Sequence, residues 1–435
     1  MGYAIPTTYN AVVSNIYMPA IVSLECSRCH HHTAADTPQT VCPRCAGSLY
    51  VRYDMEKLKK TAKRDEIAAR AAASPASLGM WRYSSVLPDV TPVTLGEGWT
   101  PMIHSKRYPG LFIKEEGANP TGTFKARGLG LAVTMAKHYG LQHLAVPSAG
   151  NAASALAAYS AAAGITAHIF MPQDVPLANY LEGIVYGANV TMVDGLISDC
   201  ARMVGENMKA QKEANTPISQ AWFDISTLKE PFRVEGKKTM GYELVEQLGW
   251  KYPDAVFYPT GGGVGLIGMW KAFEEMEQLG WVSGKRPKMY ALQSSGCAPI
   301  ARAYAEHKPA SEFFQNAATF AAGLRVPKPY ADTIILDIVR ESGGAAIAHS
   351  DDQILASILD WAKHEGVFLS PEGAAATAAY DALIASGELK PTDKVVLFNT
   401  GAGLKYTDTT AEAMRLKRPG ILPKSMPVGG IITPQ

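Results

Sequence analysis

Short apolar runs alternate with helix-length segments along most of the chain. Seven runs, rich in β-branched and aromatic residues, have the length of buried strands. They are HLAVP (143–147), TAHIFM (166–171), NVTMVD (189–194), AWFDI (221–225), AVFYP (255–259), KMYALQ (288–293) and KVVLFN (394–399). Helical patterns lie between them, at residues 152–163, 177–186, 198–213, 235–248 and after Gly265. This alternation predicts an α/β fold, with mostly parallel sheets covered by helices on both faces.

The first 94 residues do not follow this alternation, and they suggest three parts. Residues 1–54 are an N-terminal extension with a cysteine-rich module. Residues 55–94 are a helical linker, in which MEKLKKTAKRDEIAARAAA (55–73) predicts one charged helix that acts as a spacer. Residues 95–435 are the main body, whose tail RPGILPKSMPVGGIITPQ is proline-rich and predicts irregular structure.

Composition and charge narrow the class of partner. The 41 basic and 40 acidic residues leave a formal net charge of +1, so no global field attracts nucleic acid or an anionic membrane. No Lys or Arg precedes Arg28, so the charged region of a signal peptide is missing, and no run of about 18 apolar residues occurs. We therefore expect a cytoplasmic protein that binds a small uncharged or zwitterionic molecule.

Four of the six cysteines lie in CSRCHHHTAADTPQTVCPRC, with the spacing C-x2-C-x12-C-x2-C. Two such pairs place four thiolates within tetrahedral reach of one Zn²⁺, as in a closed structural site. The predicted ligands of this zinc-ribbon-like module are Cys26, Cys29, Cys42 and Cys45. Two disulfides are the alternative, which fits a cytoplasmic chain poorly. The histidines at 30–32 are either substitute ligands or solvated loop residues.

Such a module also raises the alternative of a nucleic-acid-binding or protein-binding chain with a degenerate enzyme body. Its only basic residues are Arg28 and Arg44, and it has no aromatic residue on which a base could stack. This alternative is therefore the least favoured.

Two loops that follow predicted strands could bind anions. In VPSAGNAAS (146–154), Ser148, Gly150 and Asn151 form a tight turn at a helix start, which suits a carboxylate; an ordinary N-cap is the alternative. In YPTGGGVGLIGMW (258–270), the glycines let backbone amides close around a phosphate. A dinucleotide fingerprint is disfavoured because the loop lies far past the first strand–helix–strand unit, and a P-loop fails because Met269 stands where lysine is needed.

A third strand-end loop and one lysine complete the set. KVVLFNTGAGLKY (394–406) places the Thr400 hydroxyl at a strand end, although such a threonine is most often an ordinary turn residue. Lys125, in NPTGTFKARG (119–128), is a surface charge or, in a water-poor site, a nucleophile for carbonyls. A reactive lysine, a phosphate-binding loop and a partner for a ring nitrogen are together what pyridoxal phosphate requires.

These motifs carry a resemblance to a known family. NPTGTFKARG, SAGN, GGGVG and NTGAG, in this order, resemble the fold-type II (tryptophan synthase β-like) pyridoxal phosphate enzymes. LGEGWTPM (95–102), SPEGAA (370–375) and the cysteine module resemble the threonine synthases in particular. The resemblance implies two lobes, of which a smaller mobile one spans about 128–240, and a homodimer. It also implies conversion of O-phosphohomoserine and water to threonine and phosphate.

The resemblance also implies residue roles. Lys125 would form the Schiff base, with Phe124 beneath the cofactor ring, Asn151 at its phenolic oxygen and Thr400 at its pyridine nitrogen. The cofactor phosphate would lie on Gly261, Gly262, Gly263, Val264 and Gly265. The substrate carboxylate would lie on Ser148, Ala149, Gly150 and Asn151.

The substrate phosphate would be met by an arginine. STLKEPFRVEGKKT (226–239) is similar to the R-x-E-G-x-K-T run of threonine synthases and puts Arg233 at its arginine. A structural ion pair with Glu230 or Glu235 is the alternative for Arg233. Ala126 stands where many threonine synthases have aspartate, and an acidic Glu230 would repel a phosphate. A serine or threonine dehydratase, an ammonia-lyase or a β-replacement enzyme is therefore the alternative activity.

Overall fold

The computed structural model describes residues 21–73, 79–148 and 150–416. An antiparallel three-stranded sheet comes first, formed by β1 (Ile21–Cys26), β2 (His32–Thr33) and β3 (Leu49–Tyr53) in the order β2-β1-β3. Its fully buried Leu24 and Val51 belong to the same hydrophobic cluster as the central helices of the protein. The cysteine-rich module therefore packs directly on the main body.

The predicted single helix over 55–73 is wrong, because the segment forms two helices. They are α1 (Met55–Thr61) and α2 (Asp65–Ala73), and Ala62 ends the first with an extended backbone (φ −90°, ψ 117°). Leu58 and Ile67 are both buried, at 1% and 0% exposure. At about 100° per residue, side chains nine positions apart would point to opposite faces of one straight helix. The break lets both reach the core.

The remaining strands confirm the predicted alternation. They are β4 (Met102–His104), β5 (Leu111–Glu115), β6 (His143–Pro147), β7 (Thr166–Pro172), β8 (Asn189–Val193), β9 (Trp222–Asp224), β10 (Ala255–Pro259), β11 (Lys288–Ser294), β12 (Ala346–His349) and β13 (Val395–Asn399). All seven predicted strands are present, and β4, β5 and β12 were not predicted. The sequence of β5, LFIKE, ends in two charged residues, so its apolar run is only three residues long and does not indicate a strand by itself.

The helices of the body lie between these strands. They are α3 (Lys125–His138), α4 (Asn151–Ala163), α5 (Leu177–Val185), α6 (Ile197–Glu213), α7 (Phe232–Gln247), α8 (Val264–Gln278), α9 (Pro299–Ala305), α10 (Asp332–Glu341), α11 (Asp351–Glu365), α12 (Pro371–Ser386) and α13 (Thr407–Ala413). Short 3₁₀ segments occur at Met80–Val86, Glu116–Ala118, Pro120–Gly122, Ala322–Leu324 and Gly403–Tyr406. Within the described ranges, no helix is both long enough and apolar enough to cross a bilayer.

The body contains two sheets. The larger has the order β12-β11-β10-β13-β5-β4, and only the edge strand β4 is antiparallel to its neighbour. The smaller has the order β8-β7-β6-β9 and is parallel throughout. The parallel arrangement confirms the predicted fold class and brings the carboxyl ends of neighbouring strands to one edge, where ligands of such sheets bind. The glycine loop, Thr400 and the segment leading to Lys125 follow the three adjacent strands β10, β13 and β5.

Candidate active site

A cavity of about 760 Å³ brings the predicted residues together. Its lining includes Phe124, Lys125, Ser148, Gly150, Asn151, Arg233, Gly261, Gly262, Gly263, Val264, Gly265 and Thr400. Ala149, the remaining predicted substrate residue, lies outside the described residues. The volume falls in the range of sites that hold a cofactor and a small substrate. Residues as far apart in the sequence as Phe124 and Thr400 thus share one cavity.

Backbone hydrogen bonds join the lysine loop to the threonine loop. The N–H of Phe124 donates to the Thr400 carbonyl at 3.1 Å, and the N–H of Ala402 donates to the Gly122 carbonyl at 2.8 Å. Lys125 is the first residue of α3, and its own N–H donates to the Thr123 hydroxyl at 3.3 Å. These contacts set the lysine and Thr400 on adjacent walls of the cavity.

The amine of Lys125 is poised to lose its proton near neutrality. Burial lowers its pKa to about 7, the nearby charge of Arg233 acts in the same direction, and Glu372 opposes them. Its Nζ lies 4.2 Å from the centroid of the Phe124 ring. A neutral amine at physiological pH is a nucleophile toward aldehydes and a base toward acidic C–H groups.

The glycine loop has no room for side chains at three positions. A Cβ atom at Gly261 would overlap the Gly323 carbonyl, one at Gly263 would overlap the Ile335 side chain, and one at Gly265 would overlap the Tyr258 hydroxyl. Gly263 also has φ +75°, a left-handed conformation that glycine adopts without strain. The loop leads into α8, a helix of 15 residues, so its amides and the helix dipole together favour an anion.

The Asn151 loop is partly occupied by its own hydrogen bonds. The Ser148 hydroxyl accepts from the Ala153 N–H at 3.1 Å, which closes the turn that opens α4. The amide nitrogen of Asn151 donates to the Tyr406 hydroxyl at 2.6 Å, while its Oδ1 has no partner among the described residues. Gly150, not Ser148, is the N-cap of α4, and it provides no side-chain cap. Contact of Ser148 with a substrate carboxylate stays a prediction.

Arg233 is a buried cation with unused donors. It is 0% exposed, and its Nη1 donates to the Ile225 carbonyl at 2.9 Å. Its Nε and Nη2 have no hydrogen-bond partner in the part of the chain that the structure describes. Burial lowers its pKa to about 10, with Glu230 and Asp224 opposing, so it remains charged at neutral pH. A buried guanidinium with unused donors is stabilised when an anion binds next to it, so Arg233 favours an anionic ligand in the cavity.

Neither Glu230 nor Glu235 forms a close ion pair with Arg233, although the charge of Glu230 raises the pKa of the guanidinium. The Glu230 carboxylate accepts from the backbone N–H groups of Phe232 and Arg233, the latter at 3.0 Å, and so caps α7. Glu235 pairs with Lys238 and Lys271, each at 2.6 Å. Burial raises the pKa of Glu230 to about 7, which reduces the repulsion that a phosphate would meet there.

Two further polar residues of the cavity were not predicted as site residues. Glu372 and Tyr406 line the wall near Lys125 and Asn151, with 5% and 1% exposure. Glu372 belongs to SPEGAA, which served only as a sign of family resemblance. The strand-end pattern selects polar residues that directly follow predicted strands. It could not find Glu372 or Tyr406, because both lie at or next to the start of a helix.

The four cysteines of the N-terminal module form a cluster. Their Sγ atoms all lie within 4.8 Å of one another. Cys26 and Cys45 are 3.4 Å apart and Cys29 and Cys42 are 3.6 Å apart, well beyond a disulfide bond of about 2.05 Å. Four sulfurs about 2.3 Å from one Zn²⁺ would be about 3.8 Å apart. The disulfide alternative is therefore not what the structure shows, and the cluster could hold a metal ion.

Two of the three neighbouring histidines have other hydrogen-bond partners. His30 Nδ1 lies 2.8 Å from a Glu25 oxygen, and His32 Nδ1 lies 2.9 Å from the Ser23 hydroxyl. Burial raises the pKa of the Cys26 thiol, but the backbone N–H groups of Cys29 and Arg28 and the Cys45 thiol lower it to about 6, and the same contact with Cys26 raises the pKa of Cys45 to about 12. The two thiols therefore do not both ionise readily unless a positive charge such as a metal ion lies between them.

Comparisons with known proteins agree with this geometry. Residues 93–401 match the family model described as "Pyridoxal-phosphate dependent enzyme". The threonine synthase of Methanosarcina acetivorans is 32% identical over 397 residues, which are 89% of this chain and 93% of that relative. That of Methanocaldococcus jannaschii is 32% identical and covers 85% of this chain and 89% of its own length. That of Mycobacterium bovis is 34% identical, with 76% and 89% covered.

Solved structures share the fold at lower identity. A fungal L-serine ammonia-lyase from Rhizomucor miehei superposes with a TM-score of 0.59 at 19% identity, covering 72% of this chain and 97% of that one. The processed form of threonine deaminase isoform 2 from Solanum lycopersicum has a TM-score of 0.57 at 18% identity, with 94% and 98% covered. At these identities the likeness concerns the fold alone.

Proposed function

The chain belongs to the pyridoxal-phosphate dependent enzymes, and we propose that it catalyses the threonine synthase reaction, which converts O-phosphohomoserine and water into threonine and phosphate. The relatives that support this substrate are threonine synthases matched over nearly their whole length. The single observation in the site that carries it is Arg233, a buried guanidinium with two free donors in the same cavity as Lys125. A phosphorylated substrate supplies the anion that this guanidinium lacks.

The residues of the cavity fit pyridoxal 5'-phosphate. The neutral amine of Lys125 is suited to condense with its aldehyde, and the narrow glycine loop at the start of α8 is suited to its phosphate. Asn151 would hold its phenolic oxygen, Thr400 its pyridine nitrogen, and Phe124 one face of its ring. When bound, the cofactor supplies a ring that withdraws electrons from the α-carbon of the substrate.

The remaining roles belong to groups on the chain. Lys125 Nζ would take the proton of the substrate α-carbon and return it, because its pKa of about 7 lies near neutral pH. Amides near Ser148 and Asn151 would hold the substrate carboxylate. Arg233 would hold the substrate phosphate and, after the bond to carbon breaks, the departing phosphate.

Replacement of Arg233 tests this assignment. We expect Arg233→Met to raise the KM for O-phosphohomoserine at least about 100-fold, because two charge-assisted hydrogen bonds are lost. Conversion of threonine to 2-oxobutanoate, which involves no substrate phosphate, should change much less. Arg202→Met, on the exposed face of α6, serves as the control.

The unmodified enzyme decides between the two candidate activities. Release of threonine and phosphate from O-phosphohomoserine is the expected result. Production of 2-oxobutanoate from threonine, with no turnover of O-phosphohomoserine at millimolar concentration, would instead identify an ammonia-lyase and end the proposal.

We further propose that the cysteine cluster binds a structural Zn²⁺. Four thiolates in a nearly closed arrangement match the ligand set that zinc prefers. The module packs on the body through Leu24 and Val51, so a bound ion would stabilise this contact rather than take part in the reaction.

A further inference from the structure

Glu372 is a buried carboxyl in the cavity wall that has no function in the proposed reaction so far. It lies in the first turn of α12 and is 5% exposed. Its Oε1 accepts from the N–H of Gly323 at 2.7 Å. Its Oε2 meets no hydrogen-bond partner among the described residues. A half-satisfied buried carboxyl is costly to keep and marks a functional group.

The surroundings of Glu372 hold it rigidly by one oxygen. The Ser370 hydroxyl accepts from the Gly373 N–H at 3.1 Å and fixes the start of α12. A Cβ at position 323 would come within 2.6 Å of Glu372 Oε1, so a glycine there is what lets the backbone approach the carboxyl. The first oxygen is thus anchored, whereas the second has no partner at hydrogen-bond distance in the described part of the chain and is near only the Tyr406 and Ser370 hydroxyls, which lower the pKa of the carboxyl.

Glu372 also lies within electrostatic reach of the catalytic lysine. Its charge raises the pKa of Lys125 and opposes the effect of Arg233. Burial raises the pKa of Glu372 itself, with the Gly323 N–H and the Tyr406 hydroxyl opposing. Tyr406 in turn accepts from Asn151 at 2.6 Å. Two groups able to exchange protons, an amine and a carboxyl, therefore line the same cavity.

The proposed reaction needs proton transfer at more than one carbon. The β-carbon of O-phosphohomoserine loses one hydrogen and gains a hydroxyl, and the γ-carbon loses phosphate and gains one hydrogen. Water supplies the hydroxyl, and its remaining proton leaves with the phosphate. The hydrogen lost at the β-carbon therefore balances the one gained at the γ-carbon, and a single carboxyl can carry it.

We propose that Glu372 is a second catalytic residue, which moves a proton from the β-carbon to the γ-carbon of the substrate while Lys125 serves the α-carbon. This inference rests on the proposed threonine synthase activity. As the β C–H bond breaks, its proton forms the Glu372 O–H bond and its electron pair forms a β,γ double bond, while the γ C–O bond breaks with its own pair leaving on the phosphate. The electron pair of that double bond then takes the Glu372 proton to form the γ C–H bond, which returns the carboxylate to its starting state. The water oxygen bonds to the β-carbon, and its proton passes to the phosphate.

The variant Glu372→Gln tests this role, because glutamine keeps the shape and can still accept from the Gly323 N–H, but cannot take up a proton. We expect phosphate release from O-phosphohomoserine to fall at least about 100-fold. Exchange of the α-proton of 2-aminobutyrate with D₂O, followed by NMR above pH 8, should stay within about threefold because Lys125 is kept and only its pKa falls. The dissociation constant of pyridoxal phosphate, measured by absorbance titration, should also stay within about threefold. Glu388→Gln, an exposed glutamate after α12, is the control.

The outcomes separate the two proposals. If the unmodified enzyme releases no phosphate from O-phosphohomoserine, the proposed function fails before Glu372 is considered. If it does, and Glu372→Gln retains phosphate release, Glu372 carries no proton. Equal loss of phosphate release and α-proton exchange, or weakened cofactor binding, would show a structural role and overturn the inference as well.

Discussion

Lys237 and Lys125 place their amines against the same aromatic ring. Their Nζ atoms lie 4.0 Å and 4.2 Å from the centroid of Phe124, and Lys237 also donates to the Phe124 carbonyl. Lys237 is 0% exposed, and burial, followed by the charge of Lys125, holds its pKa well below the usual range. Burial therefore favours the neutral form of the second lysine, which donates to the backbone from which the first one extends.

Replacing Lys237 by methionine should flatten the pH dependence of stability. An unfolded lysine titrates near pH 10.4, whereas the folded pKa of Lys237 lies well below that value. Between the two pKa values the unfolded chain binds the extra proton, so the wild-type free energy of unfolding gains about 1.4 kcal/mol per pH unit from this residue as pH rises. Urea unfolding of the cofactor-free protein from pH 7.5 to 9.5 should show that Lys237→Met lacks this gain. Identical slopes in both proteins would refute a neutral Lys237.

A second buried cluster fixes the start of α3. Arg127, two residues after Lys125, makes paired hydrogen bonds to Glu116 at 2.7 Å and contacts Glu243 at 2.8 and 2.9 Å. Lys114 contacts Glu243 at 2.5 Å, and all four side chains are 0% exposed. Two cations thus balance two carboxylates in the core.

Arg127→Met should destabilise the protein strongly, because it leaves a buried carboxylate without a counter-charge. The expected loss is about 3–5 kcal/mol in the urea-unfolding free energy of the cofactor-free protein. The exposed pair of Arg202 with Glu206, at 2.9 Å, provides the matched comparison, and Arg202→Met should leave stability nearly unchanged. Similar small effects from both variants would show that the buried cluster contributes little.

The pKa of Lys125 should be measurable in the cofactor-free protein. The rate at which an amine-reactive reagent modifies Lys125, measured by peptide mass spectrometry, should reach half its maximum near pH 7. Arg233→Met should raise this midpoint because it removes a neighbouring positive charge, and Glu372→Gln should lower it because it removes a negative one. Exposed lysines in the same digest report the reactivity of the reagent. A wild-type midpoint above pH 9 would contradict a water-poor site.

The cysteine cluster should contain one zinc ion per chain. Plasma mass spectrometry of protein purified under reducing conditions measures this directly. Cys42→Ser removes one of the four sulfurs and should lower the zinc content, whereas Cys200→Ser, a buried cysteine on α6, should not. If the purified protein contains no metal although all four cysteines are still free thiols, the zinc site is ruled out.

The pattern of the sequence predicts the elements better than their arrangement. Strands such as HLAVP and AVFYP were found to within one residue because their apolar runs are short and bounded by turns. The order β12-β11-β10-β13-β5-β4 could not be read from the sequence, because it depends on which strands pair over long separations. The sequence does not predict the break after α1, because charged surface residues continue through it. Only Leu58 and Ile67, which would lie on opposite faces of one straight helix, indicate that the helix is interrupted.

The same limit applies to the site. Lys125, Arg233 and the glycines stand out because each lies in a motif with a chemical meaning of its own. Glu372 gives no such signal, since its function depends on a cavity built from segments far away in the chain. The fate of Glu230 was also hidden, because a glutamate two residues before a helix reads equally well as a cap or as a free charge.

The central claim is that Lys125 is the residue to which pyridoxal phosphate is attached. Reduction of the holoenzyme with borohydride, proteolysis and peptide mass spectrometry would locate the adduct. We predict one phosphopyridoxyl group per chain, on the peptide that contains Lys125, and none in Lys125→Ala. An adduct on Lys237 or on any other side chain, or no adduct in the wild-type enzyme, would contradict the account.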